Sequence, residues 1–437
     1  MNKALENRDM PAPRKRKLVL WILYAGFLLA VTVAGLEGLS ALVVPAWPAR
    51  ELRPFDAVGL NMGAFKTVVS PALIPTYNSW GLRDQERSLS KPAAIKFRSV
   101  LIGDSFLEGP LVTRPVGQRI ESLWSEAGRN DMEAVNLGVS ATGPSQYYYR
   151  IKDIALRLQP DAIVLNFFSG NDFVEEPYSP WSIPPLVAER PKPSWLGAVA
   201  PRLTWLIVNR LGLAEWSKGD DPADFLTING ALTKPPAERL DILTQYVATH
   251  SSPAKEAAAV RPVLARAGDK FWKAFGPRDR DQELLAGWLL TNVVGVETSD
   301  WQVPLTAEEA ERKLDRPLLD ATLTWVLATT ELARKHGVKL MIVLSPTSII
   351  DPLYADFWAP WPRYRGFFFG RQALHRALRA ALEARSIPVV DLEDDLKGRP
   401  GTYRLTDGHW NEFGTQIAAE RIARELLKLR NGTRPDD

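Results

Sequence analysis

The stretch Ser99-Val-Leu-Ile-Gly103 runs straight into Asp104-Ser105-Phe106, and the reading of this junction decides the fold. Three consecutive apolar residues, two of them β-branched and closed by a glycine, predict a strand buried on both faces. A strand with one wet face would alternate instead. Downstream, residues 116–127 carry helical spacing, residues 134–138 repeat the strand pattern, and residues 145–158 predict a second helix. Ala162-Ile-Val-Leu-Asn-Phe-Phe168 is a third buried strand. The rhythm returns with a helix over 318–336, a strand over 339–344, a helix over 372–384, a strand over 388–392 and a final helix over 412–429. Five apolar strands separated by helices predict an α/β fold, a doubly wound five-stranded parallel sheet covered on both faces.

Upstream, residues 18–36 are apolar apart from Thr32. Nineteen residues at 1.5 Å rise make about 28 Å of helix, close to the ~30 Å hydrocarbon thickness of a bilayer. Glu37 is the first charge after this run, and residues 39–44 can complete the span. The cluster from Arg14 to Lys17 lies just before it, while only Arg50 and Arg53 follow closely. That bias predicts a single-pass protein of the inner (cytoplasmic) membrane, its N-terminus cytoplasmic and its soluble part extracytoplasmic, in the periplasm. The rival is a cleaved signal peptide with Val44 and Ala46 before the cut, but signal cores usually run ~7–15 residues. The expected organisation is a basic tail over 1–17, an anchor over 18–44 and a proline-dotted stalk and lead-in over 45–97. The sheet domain then occupies 98–172 and 317–430, interrupted by an α-rich insertion over 173–316, with a tail over 431–437.

Composition narrows the function classes. Of 437 residues, 46% are hydrophobic and 24% charged, which is ordinary globular usage. The net charge is +3, from 54 basic and 51 acidic residues. Six basic residues against Glu6 and Asp9 place a surplus of four before Leu18, so the remaining 48 basic and 49 acidic residues net to −1. A folded region that near neutrality does not read as nucleic-acid binding. The chain has no cysteine, which excludes disulfides, a thiol nucleophile and thiolate metal sites. No His-x-x-x-His pair is present either, so neither a metal nor another cofactor is expected.

In an open parallel sheet, ligands bind beyond the carboxyl ends of the strands. The first strand here ends in Gly103-Asp104-Ser105, the second in Asn136-Leu137-Gly138 and the third in Ser169-Gly170-Asn171-Asp172. Thr406-Asp407-Gly408-His409-Trp410-Asn411 precedes the last helix. A hydroxyl, a glycine amide, an asparagine and an Asp/His pair would converge on one edge. Acyl transfer requires these parts: a nucleophile, a base, an orienting carboxylate and oxyanion donors.

These four blocks, in this order, resemble the SGNH (GDSL-type) hydrolase superfamily, and the chain is similar to membrane-anchored bacterial polysaccharide O-acetyl esterases and transferases. The resemblance implies Ser105 as nucleophile, His409 as general base and then acid, and Asp407 as its orienting carboxylate. The oxyanion hole would comprise the Ser105 amide, the Gly138 amide and the Asn171 side chain. Many members place the aspartate three residues before the histidine, where this chain has Thr406; the two-residue spacing occurs in relatives. The implied activity is a serine-dependent ester hydrolase acting on O-acetylated envelope or exported polysaccharide. An O-acetyltransferase, a lipid or thioester acylhydrolase and a non-catalytic glycan- or partner-binding scaffold are the alternatives. Polysaccharide synthesis or export proteins are the implied partners, alongside an acylated carbohydrate or other ester substrate.

Other residues have plainer readings. Asp104 and Asp172 are expected to brace their turns. His250, His336 and His375 fall in or at the ends of helical patterns and read as surface or capping residues. Asp391, Asp394 and Asp395 read as a solvated acidic loop. Trp358, Trp361, Arg363 and Arg365, with Trp410, are candidate substrate contacts, because an aromatic loop leaving the fourth strand can stack sugars or grip an anion; a packed lid is the alternative. The insertion's tryptophans, Trp181, Trp195, Trp205, Trp216, Trp272, Trp288 and Trp301, read as core. The segment from Asn78 to Asp84 has clear turn chemistry and resembles a lead-in found in membrane-tethered relatives.

Overall fold

The computed structural model describes residues 13–40, 42, 78, 82–140, 142–173, 199–200, 203, 228–251, 254–276 and 280–432. The chain divides into two compact units, one formed by residues 1–48 with 191–218 and the other by the remainder. In the first, helix α1 spans Pro13–Ser40. Its segment Val19–Ser40 has a mean hydropathy of 2.3, and none of its most apolar window is buried. Twenty-two residues reach about 33 Å, enough to cross a bilayer. The stalk expected over 45–77 and the proline-rich patch over 180–198, with Trp181, Trp195, Trp205 and Trp216, lie outside the described residues.

The second unit is built on five strands, β1 Phe97–Ile102, β2 Met132–Asn136, β3 Ala162–Phe168, β4 Lys339–Ser345 and β5 Val389–Asp391. All pair in parallel, in the order β2-β1-β3-β4-β5. Every residue of β1 and β3 is buried, which explains why neither alternates in hydrophobicity. The order in which strands are added reverses at β1, with β2 on one side of it and β3 on the other, and such a switch point is where parallel sheets open a crevice.

Right-handed crossovers then fix the faces. The step from β1 to β2 puts helix α3 (Val116–Glu126) on one face, where it packs on the terminal helix α7 (Glu412–Asn431). Steps in the opposite direction put α4 (Pro144–Asp153), α5 (Arg316–Lys335) and α6 (Pro362–Glu383) on the other, with α5 against both neighbours. Trp124, only 1% exposed, is among the largest side chains in the core. Burying such a ring contributes several kcal/mol.

Two expected helices differ. Residues 145–158 break at Ile154 into α4 and a 3-10 turn, Ala155–Leu158, closed by Gln159 at φ 54°. α6 starts ten residues before the expected 372, because Pro362 sits at a first-turn position where its missing N–H costs nothing. The aromatic and arginine run expected as a loop is therefore mostly helix. Within 173–316 the described residues form helices Pro236–His250, Ala257–Leu264, Asp269–Phe275, Arg280–Glu297 and Ala307–Arg312.

Candidate active site

β1 stops at Ile102 and the chain turns into a four-residue helix, α2 (Ser105–Glu108). Asp104 caps it, its Oδ1 accepting the Phe106 N–H at 3.0 Å. Ser105 thus occupies the first helical position, where its own amide has no intrahelical acceptor. Its Oγ lies 2.8 Å from His409 Nε2, across 304 residues of chain.

His409 reaches that point on a short return loop. Arg404 N–H donates to the His409 carbonyl at 2.8 Å, Asn411 N–H donates to Thr402 at 3.1 Å, and Tyr403 and Trp410 form an antiparallel bridge. Gly408, at φ +73°, makes the tight step between Asp407 and His409. Asp351, fully buried after β4, accepts the N–H groups of Gly401, Thr402 and Tyr403 at 3.1, 2.8 and 3.1 Å. Asn411 then caps α7 by accepting from Phe413 and Gly414.

Asp407 is buried beside this histidine but divides its attention. Its Oδ1 accepts the His409 backbone N–H at 2.9 Å and lies 3.5 Å from Nδ1, while Oδ2 accepts from Arg404 Nε at 2.9 Å. The Asp407–Nδ1 separation is that of an ion pair, longer than a well-aligned hydrogen bond. Burial opposes the imidazolium, yet Asp407 and then Asp104 outweigh it and hold the His409 pKa above its ordinary value. Phe106 stacks on the His409 ring at 5.1 Å, with Phe168 on it at 3.8 Å and Trp410 edge-on at 4.7 Å.

The turns after β2 and β3 complete the edge. Asn171 is exposed at the tip of the 168–172 turn, beside the buried Asp104 carboxylate. Asp172 braces the turn, accepting from Phe168 N–H at 2.7 Å and from the Tyr147 hydroxyl at 2.8 Å. Burial, and then the Asp104 charge, push the Asp172 carboxyl well above the usual carboxylate range. Beneath them Arg150 donates to the Gly103 and Leu137 carbonyls, tying the ends of β1 and β2.

The C-terminal residues 302–436 match the family model of the SGNH hydrolase-like domain, acetyltransferase AlgX. Those 135 residues, about a third of the chain, are similar to an SGNH hydrolase-like domain. Among solved structures, a GDSL-like lipase from Bacteroides thetaiotaomicron is 13% identical, covering 76% of this chain and 88% of its own, with a TM-score of 0.32. A putative acylhydrolase from Bacteroides fragilis is 11% identical over 78% and 92%, with a TM-score of 0.34. A lipase/acylhydrolase from Enterococcus faecalis is 12% identical over 78% and 98%, with a TM-score of 0.32. No curated protein matches the chain.

Several expected site residues take other positions. The Gly138 N–H donates to Asn136 Oδ1 at 3.0 Å, so it is not aimed at the nucleophile; the glycine instead lets α2 pack close, since a Cβ there would lie 2.5 Å from Glu108 N. Trp358 and Trp361 are fully buried, their indole N–H groups donating to Leu405 and Val263 carbonyls, and they pack with Phe271 of the insertion. Arg363 donates to the Val296, Ser299 and Trp301 carbonyls, and Arg365 lies over the Phe369 ring. Trp410 is 3% exposed and serves as a wall for Phe106. The aromatic run is therefore the joint between insertion and sheet, which amphipathic spacing alone does not distinguish from a sugar platform.

His375 and Asp391 also depart from expectation. His375 is fully buried on α6 rather than at the surface or a cap, and Asp391 is 2% exposed rather than in a solvated loop. With Glu393 they bring ligand atoms within 4.8 Å of one another. Those atoms are already engaged: Gln372, Arg376, Arg379 and the Glu393 N–H donate to the two carboxylates, and His375 donates to Asp391. The set does not fit a cation.

The lead-in 82–87 also bears on the site. The buried Arg83 donates to the Glu108, Val112 and Thr113 carbonyls, and Asp84 accepts the Asn136 N–H at 3.0 Å while pairing with Arg87. Asn136 Nδ2 in turn donates to the Leu107 carbonyl at 2.9 Å. This segment clasps the back of the nucleophile turn. Phe106, Asp351 and Arg83 were missed as site supports, because their partners lie far along the chain.

Proposed function

We propose that this chain transfers acyl groups through an ester formed on Ser105. The observation that carries the reading is the 2.8 Å approach of Ser105 Oγ to His409 Nε2. His409 takes the hydroxyl proton as Oγ attacks the ester carbonyl, and the imidazolium formed is stabilised by Asp407. The developing oxyanion meets the Ser105 amide and the Asn171 carboxamide, each donor of this kind contributing on the order of 10²–10³ in rate. His409 then protonates the departing alkoxide, leaving the acyl group on Ser105. Water resolves that ester in a hydrolase, and a sugar hydroxyl does so in a transferase.

The substrate class we favour is O-acetylated envelope or exported polysaccharide, acted on by a domain held outside the cytoplasm by α1. The basic cluster at Arg14–Lys17 supports that orientation. The family match, named for an acetyltransferase, favours transfer to a sugar as the second reading. Full-length protein in detergent, given aryl acetate with and without an oligosaccharide, tests both. Free acetate alone supports an esterase, and acetylated sugar supports a transferase. A covalent serine probe that labels Ser105→Ala or His409→Ala as well as wild type would overturn the reading and leave the binding scaffold.

A further inference from the structure

One face of α6 reaches the carboxyl ends of three strands. Gln372, His375, Arg376 and Arg379 are spaced i, i+3, i+4 and i+7, which places them on one side of a helix. Gln372 Oε1 accepts from Thr347 N–H and Oγ1 beyond β4, both at 3.0 Å, and its Nε2 donates to Glu393 beyond β5 at 2.8 Å. His375 Nε2 is 2.9 Å from Asp391 Oδ1 at the end of β5, and its Nδ1 is 2.6 Å from Ser169 Oγ at the end of β3. Ser169, His375 and Asp391 have 0%, 0% and 2% exposure, so no substrate reaches this second Ser-His-Asp arrangement. With Nε2–H donated to Asp391, Nδ1 is left to accept the Ser169 hydroxyl proton.

Ser169 lies two residues before Asn171 in the 168–172 turn. Asp172 ties that turn back to β3 through Phe168 N–H, and Ser169 ties it sideways to α6. Asn171 itself is exposed, and its backbone N–H makes only a 3.4 Å contact with the Phe168 carbonyl. We infer that His375 is a positioning residue for acyl transfer: through Ser169 it holds the turn that presents Asn171 to the oxyanion. This rests on the acyl-transfer reading above. A buried hydrogen bond at the base of a tight turn sets the direction of the turn's tip, and a misplacement of about 1 Å can cost up to about 10²-fold in rate.

The test is a double-mutant cycle on the full chain in detergent, read as kcat and KM for aryl acetate. Ser169→Ala removes the tie with almost no change in volume and should lower kcat about tenfold with KM within about twofold. Asn171→Ala should lower kcat about 10²-fold or more. Ser169→Ala/Asn171→Ala should match Asn171→Ala alone, because a tie whose purpose is to aim Asn171 has nothing left to aim. His375→Gln should fall with Ser169→Ala. An unchanged kcat in Ser169→Ala, or a double variant whose losses multiply, overturns the positioning role while leaving the acyl-transfer reading intact. Wild-type protein that neither turns over aryl acetate nor takes the serine probe overturns both. Should Ser169→Ala not fold, Ser169→Cys, which keeps a weaker donor, carries the same cycle with the same deciding comparison.

Discussion

Asp407 Oδ1 lies 3.5 Å from His409 Nδ1 and only 2.9 Å from the same residue's backbone nitrogen. A carboxylate two positions before the histidine, with a left-handed glycine between, reaches the main chain first and the ring second. Asp407 thus fixes the loop and the imidazolium charge together, and Arg404 draws on its other oxygen. Asp407→Asn should therefore slow Ser105 labelling and turnover together, by up to ~10⁴ in kcat. A kcat near wild type would mean that the ring is oriented by something else.

The same pairing sets a pH dependence. Burial disfavours the His409 imidazolium, but Asp407 and Asp104 more than offset it, so its pKa stands above the ordinary 6.5. The base works only when neutral, so activity falls as pH drops through the raised pKa. The acid limb of kcat/KM should lie above pH 6.5 and move down in Asp407→Asn. A limb that stays in place on that substitution would remove Asp407 as its cause.

Phe106 fills the space between Phe168, Trp410 and the His409 ring. Phe106→Ala should cost about 3–5 kcal/mol in chemical denaturation, because the cavity cannot collapse against two rigid rings. Phe106→Leu should recover much of that stability while lowering kcat, since a branched chain no longer backs the imidazole. Equal activity in Phe106→Leu and wild type would reduce the ring to simple core.

Gly408 has φ +73°, and a Cβ there would stand 3.0 Å from Ser348 Oγ. Gly408→Ala should cost about 1–2 kcal/mol of backbone strain and displace Asp407 and His409 together. Denaturation midpoint and kcat should fall in parallel. A stable, fully active variant would show that the loop tolerates another path.

Asp351 satisfies three successive backbone N–H groups at the start of the histidine loop. Asp351→Ala leaves buried donors without an acceptor and should cost about 1–3 kcal/mol or more. Hydrogen exchange should rise across 401–411 before the sheet opens. Uniform loss of protection throughout the domain would place Asp351 in the general core instead.

Strand identities were legible because burial on both faces leaves an unbroken apolar run, a signal carried by neighbouring residues. Ser105 and His409, 304 positions apart, could be paired from sequence only because both follow elements that end on one edge of a parallel sheet. The role given to Gly138 failed on a local fact that spacing does not carry: the adjacent Asn136 carboxamide takes its amide. Trp358, Trp361 and Arg363 look the same in sequence whether they face a ligand or an insertion, and only the packed insertion decides between the two.

By itself the sequence determined the apolar N-terminal helix, the five-stranded doubly wound sheet and the set of polar residues at its strand ends, because hydrophobic period and turn chemistry are short-range properties. The folded chain alone decided that the aromatic run is a joint, that Asp407 serves backbone and ring together, and that His375 binds Ser169 in the interior. Each of these depends on which surface meets which across tens to hundreds of residues. Contacts of that range are settled by packing and desolvation in three dimensions and leave no periodic trace along the chain.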